Sequence, residues 1–414
     1  MRKKVKWVLL GICIAILLTI AIWTIITNSK VIANNEWMSA NANIEQHNKE
    51  QNIVESLVEE NKMQNTWVVD IGKEEQNSIL NLVVDSPEEQ LEFELPINGT
   101  TGYAPTTINL LENATEGAKV ITKIKAGQAF TILSEENNYF YVQYGEEKGW
   151  LDNTLCMVNL PDIIPSIVYD DTNSYRSIFQ SSGYSLPDIT GKQLYNASSY
   201  NSRLQETQYN MPVMYQMAKK IYQAQKQALA NHQSLKIYET FRPYEVQMKV
   251  SSSLKQLEDS NEAVKSGINT GSWNESWFIA QTRSNHQLGV AMDVSLVQIN
   301  TSEQKKLGKY TYTKVTDYTE YVMPTQMHEL SARAVAFSYP VSSASKTAWK
   351  NVPLAKTMTQ AAKQLQNYCT SAGMSPLASE WWHFNDLDAK EAIKNRGVNG
   401  KFYLQDNVSK IPEK

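Results

Sequence analysis

Ser284-Asn285-His286-Gln287-Leu288-Gly289-Val290-Ala291-Met292-Asp293 sets a histidine and an aspartate seven positions apart, joined through a glycine into an alternating strand. Successive side chains of a strand point to opposite faces. Met292, Val294 and Leu296 are therefore expected to face a core, and Ala291, Asp293 and Ser295 the other side. Gly289 lets the backbone bend so that His286 returns over that second face. A second stretch, Ser379-Glu380-Trp381-Trp382-His383-Phe384, places a glutamate three residues before a histidine. Those two share a side only where the backbone is helical or irregular, and point apart in a regular strand. Trp381 and Trp382 are expected to wall such a site off from water.

Taken singly, each stretch has a plainer reading. The first is also a solvated His–Asp pair, and the second an aromatic core strand with a hydrogen-bonded histidine. Together, two histidines and an aspartate make a three-ligand set with an open fourth position, the arrangement of a catalytic zinc. Two neutral imidazoles and one carboxylate leave such a site one net positive charge, which lowers the pKa of bound water and polarises a carbonyl. Glu380 is then free to act as general base.

The pattern S-x-H-x-x-G-x-A-x-D followed by E-W-W-H resembles the zinc D-alanyl-D-alanine peptidases, which include VanX-type dipeptidases and VanY-type carboxypeptidases. The likeness runs from about Pro161 to Asp406. It implies an α+β, hedgehog-like catalytic domain over residues 161–414 and one zinc ion per chain, held by His286, Asp293 and His383, with Glu380 as catalytic base. Glu239-Thr240-Phe241-Arg242-Pro243 resembles the family's G-Y-R-P or G-Y-R-S segment, whose arginine steadies the oxyanion, and this role falls to Arg242. A fixed guanidinium beside the metal is what a tetrahedral intermediate requires. Phe241 stands where the family has tyrosine, so a hydroxyl contact there is lost. By the same likeness Ser284 helps to orient substrate.

Upstream, residues 100–160 carry short β-branched and aromatic runs at close spacing: Lys119-Val120-Ile121, Ala129 to Leu133, and Tyr139 to Tyr144, punctuated by Gly127, Asn137-Asn138 and Gly145. These predict a small all-β barrel. Lys125-Ala126-Gly127, the tyrosine-rich run and Gly149-Trp150-Leu151 resemble bacterial Src-homology-3-like wall-binding modules, although Asn109 to Ala114 is a degraded form of their N-V-R-S-G-P segment. A spacer and a wall-binding module are both open for it. Pro161 and Pro165 mark a linker beyond the barrel. In the last domain Pro212 is expected to begin a helix carrying Val213, Met217, Ile221, Ala224 and Ala228 on one face, and Leu354 to Ala372 a second helix, ended by Gly373.

Trp7 to Ile26 is twenty residues without a charge or a proline, the length that crosses a bilayer as a helix. Arg2, Lys3, Lys4 and Lys6 precede it, so the positive-inside bias leaves residues 1–6 in the cytoplasm, 7–27 in the membrane and the rest outside. A cleaved signal peptide ending near Val31-Ile32-Ala33 is the alternative, but its apolar core is ordinarily ~7–15 residues. Residues 28–99, rich in Asn, Gln and Glu at their start, form a stalk or small extra module. The chain carries net charge −4 over 414 residues, with no dense basic stripe in the part outside the membrane, and nucleic acid is not an expected partner. Residues 7–414 hold 35 basic and 43 acidic side chains, so attraction to an anionic wall must be local. Cys13, Cys156 and Cys369 are too few and scattered for a disulfide framework or a thiolate site.

The expectation is a single-pass membrane protein whose extracytoplasmic zinc metallopeptidase hydrolyses the D-Ala-D-Ala bond of peptidoglycan stems. D-Ala-D-Ala dipeptidase or L,D-carboxypeptidase action is the alternative within the class, and a non-catalytic wall-binding protein the alternative outside it. His328-Glu329 begins an H-E-x-x-H pattern that Ala332 breaks, and is set aside. Ser252-x-x-Lys255 and Ser343-x-x-Lys346 lack the S-D-N and K-T-G partners of serine penicillin-binding enzymes. His47 and His232 have no metal-spaced companions and are expected to be solvated.

Overall fold

The computed structural model describes residues 93–412. The anchor expected over residues 7–27, His47, and the stalk or module up to residue 92 lie outside the described residues. Among the described residues no helix is long and apolar enough to cross a membrane.

The runs between residues 100 and 160 pair as antiparallel strands: β1 (Thr101–Tyr103), β2 (Ile108–Leu111), β3 (Val120–Ile124), β4 (Ala129–Glu136), β5 (Tyr139–Tyr144), β6 (Glu147–Asp152) and β7 (Met157–Asn159). Their order across the sheet is β7-β1-β4-β5-β6-β2-β3. Alternation decides what each strand buries: Phe140 and Val142 of β5 enter the core while Tyr139 and Tyr141 stay at the surface.

Pro161 and Pro165 do not form a linker. Leu160–Ile163 is a short buried helix, α1. Asp162 within it is fully buried and accepts hydrogen bonds from Thr101 N, Asn201 Nδ2 and Ser409 Oγ, tying the barrel, a later hairpin and the C-terminal tail together. The prolines punctuate a turn inside the core, where composition alone reads as a joint.

Beyond it come β8 (Val168–Tyr169), a hairpin β9–β10 (Gln180–Ser181 and Tyr184–Ser185), and a hairpin β11–β12 (Ser198–Asn201 and Glu206–Tyr209). Pro212–Met214 is a strand, β13, and not the first turn of a helix; it extends the barrel sheet by pairing with β7. The helix, α2 (Tyr215–Leu229), begins only after it and buries Met217, Ala218, Ile221, Ala224 and Ala228 along one face. Then follow β14 (Gln233–Glu239), α3 (Tyr244–Ser260), α4 (Glu262–Ile268) and α5 (Glu275–Phe278). The rest comprises a long ribbon β15–β16 (Ala291–Leu307 and Tyr310–Glu320), α6 (Gln360–Ser371), β17 (Ser375–Leu377), β18 (Glu380–Asn385) and α7 (Leu387–Ala392). α6 is shorter than the expected helix because Thr359 caps it, its side chain accepting from Ala362 N, while Ala355 N bonds Ala336 O in a non-helical approach.

The second sheet runs β17-β18-β15-β14-β8, with β16 also on β15, and only β8 is parallel to its neighbour. Helices α2 and α6 pack on each other and on β14 and β15. Met292, Val294 and Leu296 enter the core, as the alternation predicts. The barrel joins this region through a small separate core of Tyr103, Ala129 and Met157 against Phe241, Leu288 and Val290. Residues 405–410 then run back along the barrel, Gln405 N bonding Gly127 O and Lys410 N bonding Gly99 O.

Candidate metal centre

The register of the second sheet assembles most of the site. β15 pairs with β18 so that Asp293 lies opposite His383, and β14 pairs with β15 so that Glu239 lies opposite Asp293. One row across three strands therefore presents Glu239, Asp293 and His383 side by side. His286 arrives on a turn of 3₁₀ helix, His286–Leu288, stopped by Gly289 at φ 66°. A Cβ at Gly289 would stand 2.8 Å from Met157 Sδ, so the bend and the tight approach to the barrel both require glycine.

Both imidazoles are oriented from behind. His286 Nδ1 lies 2.7 Å from the carbonyl oxygen of Thr240, and His383 Nε2 lies 2.9 Å from Asn385 Oδ1, which also accepts from Asn285 Nδ2. Each outer nitrogen is thus the N–H donor, and each inner nitrogen presents a lone pair. His286 Nε2 and His383 Nδ1 are 3.2 Å apart, and they stand 3.3 Å and 3.0 Å from Asp293 Oδ1. Three acceptor atoms so close, all on buried residues, need a cation between them. The donor set, two nitrogens and a carboxylate oxygen oriented by outer hydrogen bonds, fits a zinc ion.

Glu380 Oε2 is 3.6 Å from His383 Nδ1. The two share a side although β18 is a strand, because the pairing with β17 slips between Pro376 and Leu377 at its start. Burial pushes the Glu380 carboxyl up to about 8, against the pull of His383 and with the push of Asp293.

Arg242 is fully engaged on one side. Its Nε donates to Glu239 Oε2 at 2.7 Å, and its Nη2 to the same oxygen and to Asp293 Oδ2 at 3.2 Å; its Nη1 donates to Gln247 Oε1 at 2.7 Å. The guanidinium lies over Phe179, 5.1 Å from the ring centre, and lines the cleft. Glu239, Asp293 and His328 also converge, but Arg242 already supplies the positive charge there.

The cleft encloses about 270 Å³ and includes all three metal-ligand candidates, Glu380, Arg242 and Ser284. Ser284 Oγ accepts from His286 N, so it also stabilises the turn. Of the two tryptophans only Trp382 lines the cleft, whereas Trp381 donates from Nε1 to Thr325 Oγ1. His232 is exposed, as expected.

His328, set aside on sequence, belongs to the site. It is buried in left-handed backbone at φ 62°, stacked on Phe179 at 4.2 Å, with Nε2 3.1 Å from Asp293 Oδ2. Its neighbour Glu329 turns away to accept from Ser182 N and Gly183 N. Gln247 and Asn385 were also not anticipated. Nothing in a single sequence marks Gln247, while Asn385, two residues past His383, is a signal available only once β18 is known to be a strand.

Against models of known protein families, residues 188–403, more than half of the chain, match the family described as D-Ala-D-Ala dipeptidase. Residues 106–155 match the bacterial SH3 domain. No curated protein matches the chain.

Proposed function

The chain belongs to the D-Ala-D-Ala dipeptidase family, and from that premise we propose that it is a zinc metallopeptidase removing the terminal D-alanine of peptidoglycan stem peptides. The observation that carries the reading is the convergence of His286 Nε2, His383 Nδ1 and Asp293 Oδ1 beside Glu380. Zinc held by these three would polarise the scissile carbonyl and acidify a water molecule. Glu380 accepts the proton of the attacking water and returns it to the departing amine. Arg242, anchored by Glu239 and Gln247, places fixed positive charge where negative charge develops on the carbonyl oxygen. Ser284 borders the cleft where it can donate to the substrate, and Trp382 excludes water from that wall.

Carboxypeptidase action on stems is favoured over dipeptidase action because a second, larger cavity adjoins the cleft, sharing Arg283 and Lys390 with it, and a free dipeptide would leave it empty. The description of the matched family carries the dipeptidase reading as the alternative. The proposal includes a location outside the cytoplasmic membrane, resting on the apolar segment 7–27, with the bacterial SH3 domain as the contact to the wall. Incubating the zinc-loaded chain with a pentapeptide stem and with free D-Ala-D-Ala, and measuring released D-alanine, distinguishes the two activities.

A further inference from the structure

The catalytic cleft adjoins a second cavity of about 840 Å³, formed by α7, residues 393–399 and residues 344–346. Arg283 and Lys390 line both spaces. The second cavity is lopsided in charge: Arg283, Lys346, Lys390 and Lys394 line it, against Glu391 alone. Two of those cations are already neutralised. Lys394 Nζ is 3.0 Å from Glu391 Oε1, and Lys346 pairs with Asp388.

The other two are not. Arg283 donates one N–H, from Nη1, to the carbonyl oxygen of Val398 at 2.9 Å, which fixes the guanidinium without neutralising it. Lys390 is half-buried, and among the described residues its Nζ has neither a hydrogen bond nor an ion pair. Burial, with the like charge of Arg283, pulls its pKa below the ordinary lysine range. Residues 7–414 are net negative by eight charges, yet two unneutralised cations face the border of the cleft. Bringing an anion there relieves their repulsion: Arg283 is exposed and offers its remaining N–H groups to an incoming ligand, while half-buried Lys390 gives the charge-assisted hydrogen bond a less hydrated partner.

We propose that Arg283 and Lys390 form an anion subsite that binds a side-chain carboxylate on the N-terminal side of the scissile bond, so that the preferred substrates are acidic peptides extending from the cleft into the second cavity. The peptide part of this rests on the proposed peptidase activity; the carboxylate part rests on the two cations. A side-chain carboxylate is assigned in preference to the C-terminal one because the second cavity has about three times the volume of the cleft. A leaving alanine does not need that space, whereas a continuing chain does. Leu288, Leu387 and Ile393 give the cavity apolar walls for the rest of such a chain.

The test is calorimetric binding to the full zinc-loaded chain carrying Glu380→Gln, so that the peptide stays intact. The probes are a pentapeptide ending in D-Ala-D-Ala with one glutamate upstream, the same peptide with that glutamate replaced by glutamine, and the glutamate peptide as its C-terminal carboxamide. The expected result is about tenfold tighter binding of the glutamate than the glutamine peptide, an advantage lost on adding Lys390→Gln or Arg283→Gln and retained with Lys390→Arg. Equal affinity for the glutamate and glutamine peptides overturns the proposal. So does an effect of Lys390→Gln that persists with the glutamine peptide and vanishes with the carboxamide, which would assign the subsite to the C-terminus. Turnover by the unaltered chain is read separately: a charge preference in binding without D-alanine release removes the proposed activity and leaves the subsite standing.

Discussion

His286 and His383 meet edge to face, ring centres 4.9 Å apart and planes at 76°, with His286 Nε2 and His383 Nδ1 3.2 Å apart and both outer nitrogens engaged by acceptors. As neutral imidazoles, neither ring can give the other a hydrogen bond without giving up its outer one. The pair is therefore held in the tautomers that a metal needs. Asp293→Ala removes the only charged member of the set and should abolish zinc binding as well as turnover. Glu380→Gln should retain one equivalent of zinc while losing activity. Metal content after gel filtration, measured beside D-alanine release, separates the two.

Asn385 acts at one remove. Its Oδ1 holds the Nε2–H of His383 and is itself fixed by Asn285. Asn385→Ala should weaken zinc binding by about 10–100-fold without removing a ligand. Competition with a chromophoric chelator reads this directly, and unchanged affinity would mean that the ring is oriented by packing alone.

Gly289 ties the candidate metal centre to the barrel. Gly289→Ala imposes a side chain at φ 66° and a contact with Met157 Sδ that must give way. The backbone cost alone is about 1–2 kcal/mol. A lowered Tm together with weakened zinc binding is expected, because the same turn carries His286. The double variant with Met157→Ala should recover part of the loss by relieving the contact, though not the backbone part.

The barrel is therefore not a detachable spacer. Deleting residues 100–160 would unpair β13 from β7 and expose Met214, Phe241, Leu288 and Val290. The truncated chain should fail to give a cooperative thermal transition. A stable, zinc-binding truncation would contradict this.

Glu94 gives a pH dependence that does not involve the candidate metal ligands. Its carboxyl accepts from Ser166 N at 3.0 Å and also bonds the Ser166 hydroxyl, yet burial outweighs both and raises it from 4.5 to about 7. Between those values the folded chain holds a proton that the unfolded chain has released, so this group's contribution to stability falls as pH rises from about 4.5 to 7 and is level above. Glu94→Gln removes the dependence. The Tm of the variant minus that of the unaltered chain should be more positive at pH 8 than at pH 4.5, and an equal difference at both would contradict the shift.

The candidate metal centre was legible because its parts are local in sequence. His286 and Asp293 sit at the two ends of one turn-and-strand, and Glu380 and His383 start the partner strand, so two short motifs carry four residues that one pairing register brings together. His328 was not legible: it reaches Asp293 from a loop and holds left-handed backbone, and neither leaves a periodic trace. Gln247 lies one turn into α3, where nothing but the position of Arg242 marks it out. Of the long ribbon β15–β16, only the start of β15, as far as Leu296, is marked by alternation. Beyond it Ser302-Glu303-Gln304-Lys305-Lys306 is polar on both faces, so the alternation that identifies a half-buried strand is lost. The buried Pro161 segment misled for a related reason, since proline marks turns in cores as well as in joints.

The central claim is tested most directly by incubating the full zinc-loaded chain with a pentapeptide stem ending in D-Ala-D-Ala, with and without a chelator, and quantifying free D-alanine. Release that the chelator abolishes, that added zinc restores and that Glu380→Gln lacks is the predicted result. No release from the zinc-loaded chain, or release indifferent to chelator, would contradict it.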